Sequence, residues 1–241
     1  MKTNTRNFVR FDQFVANKLN ISRNKALNLI KEDKVFLDGK LSNSPSANVI
    51  SGEISLNEQI FVSRGALKLK PFLKELNLNF NSMNALDVGS STGGFVEILL
   101  QNGVKSVTAL DVGTMQLDKN LRNDSRVVVM ENTDIRDFKS EVKFDITTCD
   151  VSFISLKNIM QNLKNLTEGI IITLFKPQFE VGIFAKRNKK GVVTDQKAII
   201  FARRDFELFC INLGLEIILT KECNISGKNG NKEYFYAFRQ I

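Results

Sequence analysis

The segment Leu86-Asp87-Val88-Gly89-Ser90-Ser91-Thr92-Gly93-Gly94-Phe95 packs a buried-strand pattern, a glycine-rich turn and a helix start into ten residues. Glycines at such a turn let the backbone bend tightly and approach a ligand with no Cβ in the way. A dinucleotide fingerprint needs G-x-G-x-x-G, so that a pyrophosphate meets the helix N-terminus. Here position 91 is serine, and an acid, Asp87, leads the loop. An acid suits an ammonium group better than a phosphate.

The sequence on either side of this loop alternates strand and helix. Strands are predicted at Ala85–Val88, Ser106–Leu110, Val127–Met130, Phe144–Cys149 and Gly169–Phe175, with helices at 65–76, 94–101 and 155–165. A long helix from about Asp195 to Leu213 precedes two further strands, Glu216–Thr220 and Glu233–Arg239. Such alternation argues for a seven-stranded, mostly parallel sheet with helices on both faces. The polar turn at 226–231 makes the last strand antiparallel to its neighbour.

Residues 1–62 read as a separate small α/β module, leaving 63–241 as the second domain. Phe11, Phe14, Val15 and Leu19 lie on one face of a helix. Ser22 caps a second helix, whose inner face is Ala26, Leu27 and Ile30. Val35 and Leu37 lead into Asp38-Gly39, a hairpin turn, and a short strand is predicted at 60–62. This module has nine basic and six acidic residues, with Arg6, Arg10, Lys18, Arg23 and Lys25 crowded into its helices.

Composition narrows the chemistry. The 241 residues include no histidine and no tryptophan. That excludes an imidazole base, a Ser-His-Asp triad and histidine metal ligands, so proton transfer falls to Lys, Asp, Glu, Tyr or Cys. Cys149, Cys210 and Cys223 have no CxxC spacing, which argues against a zinc cluster or a disulfide framework. No metal site is expected. The net charge of +8 suits an anionic partner. The start of the chain lacks a signal-peptide pattern, and no apolar stretch approaches a membrane span, so a cytoplasmic location is expected.

Acids recur where strands end. Asp111 closes the second strand, where a carboxylate can accept both ribose hydroxyls of an adenosyl cofactor. Asp134 follows the third, where it could meet the adenine amino group of such a cofactor. The pattern D-x-G-x-x-x-G-G resembles the first motif of class I S-adenosylmethionine (SAM) methyltransferases. The resemblance implies a Rossmann-like fold, with SAM held by Asp87, Gly89, Ser90, Thr92, Gly93, Gly94, Phe95, Asp111 and Asp134.

Four charged residues sit at element ends of the second domain: Lys68, Asp150, Lys176 and Glu233. Each alone reads as an ordinary exposed charge. In this order around this loop, they resemble the Lys-Asp-Lys-Glu tetrad of RNA ribose 2′-O-methyltransferases of the FtsJ type. SRGALKL, LDVGSSTGGF, ALDVG, CDVSFISL, LFKPQFE and GNKEYF together resemble the TlyA (hemolysin A-like) rRNA methyltransferases over nearly the whole chain. That family begins with an RNA-binding module named for ribosomal small-subunit protein four. Arg10-Phe11-Asp12, Ser22-Arg23, Ala26, Ile30, Val35 and Asp38-Gly39 match its pattern. One departure is Glu32-Asp33, where the module has a glycine after the second helix.

The resemblance implies methyl transfer from SAM to a cytidine 2′-hydroxyl of ribosomal RNA in a ribosomal subunit, with no DNA partner and the large subunit favoured. Lys176 would accept the hydroxyl proton, Asp150 would orient it, Lys68 would hold the ribose or phosphate, and Glu233 would fix a lysine. RNA contacts are expected from Arg6, Arg10, Ser22, Arg23, Lys25 and Arg64, and from a loop expected to be mobile, Lys186, Arg187, Lys189 and Lys190. Other readings stay open. They are a nicotinamide-dependent oxidoreductase, a base methyltransferase (one using Cys149 included), and a non-enzymatic ribosome-binding or membrane-lytic protein.

Overall fold

The computed structural model describes residues 8–57, 59–227 and 229–241; Arg6 lies outside them. It divides into two compact units, Met1–Ile60 and Phe61–Ile241.

In the first unit, β1 (Val9–Arg10) leads into α1 (Phe11–Leu19) and α2 (Arg23–Lys31). The strands β2 (Val35–Leu37), β3 (Lys40–Leu41), β4 (Asn48–Val49) and β5 (Ile54–Leu56) follow. The Ser22 hydroxyl accepts the Lys25 N–H at 3.2 Å and caps α2. Leu29 takes the core position expected of Leu27: with Ala26 and Ile30 it lies three and four residues along one helical face. Asp38 (φ 50°) and Gly39 (φ 74°) are both left-handed, as a tight hairpin between β2 and β3 requires. Asp33 (φ 55°) adopts the left-handed turn where the resembled module has a glycine. A short polar side chain tolerates that conformation better than most.

The strand predicted at 60–62 does not form; β5 takes its place by pairing antiparallel with β2. Residues 59–62 connect the units instead. Ile60 packs on the core of the first, and Phe61 and Val62 pack on that of the second.

The second unit opens with α3 (Arg64–Leu76), β6 (Asn84–Val88), α4 (Gly94–Gln101), β7 (Ser106–Leu110), α5 (Lys119–Arg122) and β8 (Val127–Met130). Then come β9 (Phe144–Cys149), α6 (Met160–Leu166), β10 (Thr167–Phe175), α7 (Pro177–Glu180), α8 (Gln196–Asn212), β11 (Leu215–Glu222) and β12 (Tyr234–Gln240). The helix predicted over 155–165 is split: a single 3-10 turn, Leu156–Asn158, precedes α6. The seven strands form one sheet in the order β11-β12-β10-β9-β6-β7-β8.

Side chains alternate across each strand and build two cores. Ala85, Val107, Ile146 and Ile172 meet α3 and α4 on one face. Leu86, Leu110, Ile171 and Phe175 meet α6 and α8 on the other. Burial on both faces is why the strands read as nearly continuous apolar runs.

This topology sets the site. The parallel strands β6, β7, β9 and β10 all end at one edge of the sheet. β12 is antiparallel to both neighbours and starts at that edge, with Tyr234 opposite Phe175. Glu233, just before β12, and Lys176, just after β10, therefore arrive side by side.

Candidate active site

The turn after β6 fixes the floor of a cleft of about 200 Å³. Asp87, Gly89, Ser90, Thr92, Gly94 and Phe95 line it, together with Lys68 and Asp150. Gly89 is left-handed (φ 80°), and a Cβ there would come within 2.6 Å of the Asp150 carbonyl oxygen. The glycine thus lets the β6 and β9 ends close together.

Asp87 is buried, and its Oδ1 accepts the Thr148 hydroxyl at 2.7 Å. Its Oδ2 is buried and accepts no hydrogen bond within 3.5 Å, with the Val96 N–H at the start of α4 the backbone group that acts on this carboxyl. Burial pushes its pKa up to about 7; Thr148 opposes this, and nearby Asp150 and Asp111 add to it. A buried oxygen with no partner in a glycine cradle fits a cationic ligand, since a positive charge there would offset the cost of ionising Asp87.

The four charged residues expected from separate motifs form two ion pairs. Lys68 Nζ lies 2.7 Å from Glu233 Oε2, with both side chains largely buried. Lys176 Nζ lies 2.5 Å from Asp150 Oδ1 and donates to the Ser152 hydroxyl at 3.1 Å. The Arg64 guanidinium, at the cleft wall, donates to the Ser226 carbonyl at 3.0 Å, tying the start of α3 to the loop before Glu233.

An FtsJ-like methyltransferase family profile matches residues 61–240. The chain belongs to that family. A 23S rRNA (cytidine-2′-O)-methyltransferase TlyA of Campylobacter jejuni is 49% identical over 95% of this chain and 99% of its own length. A 16S/23S rRNA (cytidine-2′-O)-methyltransferase TlyA of Mycobacterium tuberculosis is 38% identical over 90% of this chain and 84% of its own. The solved structure of a Streptococcus thermophilus protein described as a hemolysin has 31% identity and a TM-score of 0.74, over 98% of this chain and 90% of that one.

Three residues expected at the cofactor stand outside the cleft lining of this FtsJ-like domain. Asp111 braces the loop instead: its oxygens accept the Ser91 and Gly113 N–H groups, each at 2.7 Å. Gly93 stands just before α4, and a Cβ there would run into Leu117 and Leu121. Both oxygens of Asp134 are taken by Arg136, two residues on, at 2.6 to 3.0 Å.

Sequence reasoning missed Ser63, Gly65, Thr148 and Ser152. Ser63 and Gly65 line the cleft, and Ser63 caps α3 by accepting the Gly65 N–H at 3.3 Å. The cap signal of a serine before the helix was legible; the two hydroxyls that serve Asp87 and Lys176 had no signature. Cys149 is fully buried and burial raises its thiol pKa strongly, so it is a core residue and not a nucleophile.

Among the basic residues of the first unit, Arg10 and Arg23 converge on buried Asp12, at 2.9 and 3.1 Å. The Arg10 guanidinium above all holds that carboxyl down, at about 2. Lys25 gives its backbone N–H to the Ser22 cap. In the second unit, the loop expected to be mobile is a closed hairpin around Asn188, whose side chain accepts the Lys190 and Val192 N–H groups. Arg187 donates to the Gln178 and Gly182 carbonyls; it is exposed, as are Lys186, Lys189 and Lys190.

Proposed function

We propose that this protein transfers a methyl group from SAM to the ribose 2′-hydroxyl of a cytidine in ribosomal RNA, with the large subunit as substrate. The observation that carries the reading is the Lys176–Asp150 pair beside the Asp87–Gly89 loop. The names of the relatives supply the substrate class, and the fuller match to the 23S enzyme favours the large subunit.

Bound in the cleft, SAM supplies a methyl group on a positively charged sulfur. Asp87 and the backbone of residues 89–94 would hold it, with Asp111 keeping the loop in shape. Lys176 is assigned to take the proton of the 2′-hydroxyl as the oxygen attacks, which requires that it first give up the ammonium proton it holds in the pair with Asp150. Asp150 then pairs with the ammonium formed. Glu233 fixes Lys68, whose cation holds the ribose or an adjacent phosphate. The work of the chain is positioning and removal of one proton.

The N-terminal module, Arg64 and the basic hairpin provide phosphate contacts in this reading, so RNA binding weakens steeply with salt. No helix of the described residues is long and apolar enough to cross a membrane. Mapping 2′-O-methyl groups on rRNA from cells with and without this gene tests the assignment. It expects the loss of a cytidine mark on large-subunit rRNA; an unchanged map would overturn it.

A further inference from the structure

Ile183 and Phe184 are 84% and 95% exposed, two consecutive large apolar side chains; Phe153, Met115 and the Ile200-Phe201 pair of the same unit are exposed as well. Single exposed apolar residues are common and need no explanation. This pair is different because its surroundings are built. Gly182 is left-handed (φ 73°) with open space where a Cβ would stand, and it turns the chain outward. Arg187 closes the base of the turn by donating to the carbonyls of Gln178 and Gly182.

The base is in turn locked to the segment that carries Asp150. Glu180 accepts the Ser155 hydroxyl at 2.7 Å and the Leu156 N–H at 2.8 Å. The Phe179 ring lies 5.2 Å from the Phe153 ring. The tip thus stands on a braced foot, eight residues after Lys176, and is followed at once by the exposed cations Lys186, Lys189 and Lys190.

We propose that the 182–190 segment is an RNA wedge, in which Phe184, backed by Ile183, stacks into the base column next to the methylated nucleotide. This inference rests on the proposed rRNA 2′-O-methylation. In this reading the nucleotide whose ribose is drawn down to Lys176, beside the cleft, leaves the stack as nucleotides extruded into enzyme pockets do, and its neighbours then lose a partner. Apolar side chains fill such gaps in other nucleic-acid complexes, and base–aromatic stacking is sequence-tolerant. The three lysines supply the phosphate attraction that brings an apolar tip to a polyanion. Charge complementarity therefore selects RNA as the occupant.

The chain has no tryptophan, so Phe184→Trp introduces a single indole at the tip. Its emission is followed as ribosomal large subunits from cells lacking the gene are added, and separately with phosphatidylglycerol vesicles. Stacking predicts quenching by the subunits at the concentration where methylation saturates, and no change with vesicles. An indole indifferent to subunits that the variant still methylates overturns the wedge and leaves the methyltransferase reading standing. A blue shift with vesicles alone also overturns it, in favour of a membrane contact. Failure of the unaltered protein to methylate any subunit removes the underlying reading itself. In parallel, Phe184→Ala is expected to raise the KM for subunits roughly tenfold with kcat and the salt slope unchanged, whereas Lys189→Ala lowers the salt slope by about one. A Phe184→Ala variant with an unaltered KM overturns the wedge as well.

Discussion

Lys176 Nζ lies 2.5 Å from Asp150 Oδ1, although 26 residues of chain separate the two. Each closes a strand, and the parallel pairing of β9 with β10 sets the strand ends together. If this lysine accepts the hydroxyl proton, Lys176→Ala lowers kcat by about 10²–10⁴-fold and leaves SAM affinity within about twofold. Single-turnover methylation and calorimetric SAM titration separate the two effects. A variant with normal turnover would show that the proton goes elsewhere.

Asp87 gives a pH signature. Its folded pKa, about 7, is above the ordinary 3.8, so its neutral form favours the fold. That contribution is complete below 3.8 and is lost as pH rises through about 7. The unliganded protein should therefore lose stability across this window, and Asp87→Asn should flatten the loss. Affinity for a cationic ligand runs the other way and strengthens as pH rises through about 7. Thermal melts and SAM titrations at pH 6 and 8 check both signs.

Gly89→Ala forces a Cβ against the Asp150 carbonyl at a left-handed position. The strain is worth about 1–3 kcal/mol, and relief requires the 150 loop to move. Both a lower Tm and a loss of SAM binding are expected. Retained SAM affinity would mean that the two strand ends need not be this close.

Removing one partner of the buried Lys68–Glu233 pair strands the other charge. Lys68→Met should destabilise by about 3–5 kcal/mol. Adding Glu233→Leu should recover much of that stability but not the activity, because the cation is assigned to substrate. Denaturant midpoints set beside methylation rates test this; activity in the double variant would reduce the pair to a structural role.

Asp12 holds Arg10 and Arg23 together, and its carboxyl is held down, at about 2, chiefly by Arg10. A depressed carboxylate contributes stability that is full above its ordinary 3.8 and fades as pH falls towards about 2. Asp12→Asn should remove this acid limb from the melting profile. If both guanidiniums serve phosphates, Arg10→Ala should also lower the salt slope of RNA binding by about one. An unchanged slope would move RNA contact away from this face.

The sequence alone carries the elements and their order. Strand and helix periods, the Asp87–Gly94 loop, the Ser22 cap and the Asp38-Gly39 turn are local signals, and local sterics and hydrogen bonding enforce them. Even the glycine missing after α2 is answered locally, by Asp33 in a left-handed turn. It missed where the deciding partner was distant. The strand expected at 60–62 lost to β5 because pairing with β2 is a long-range choice. Asp134 is a different case: Arg136, only two residues on, pairs with both of its oxygens.

The folded arrangement of the sheet decided which lysine meets which carboxylate. Four charges scattered between positions 68 and 233 become two pairs because β12 runs against the sheet and begins where β10 ends. No sequence period encodes that meeting; strand order does. It likewise decided that Asp87 keeps one buried oxygen without a partner. That follows from how Thr148 on β9 reaches across to β6, and it is the feature that fits the cleft to a cation.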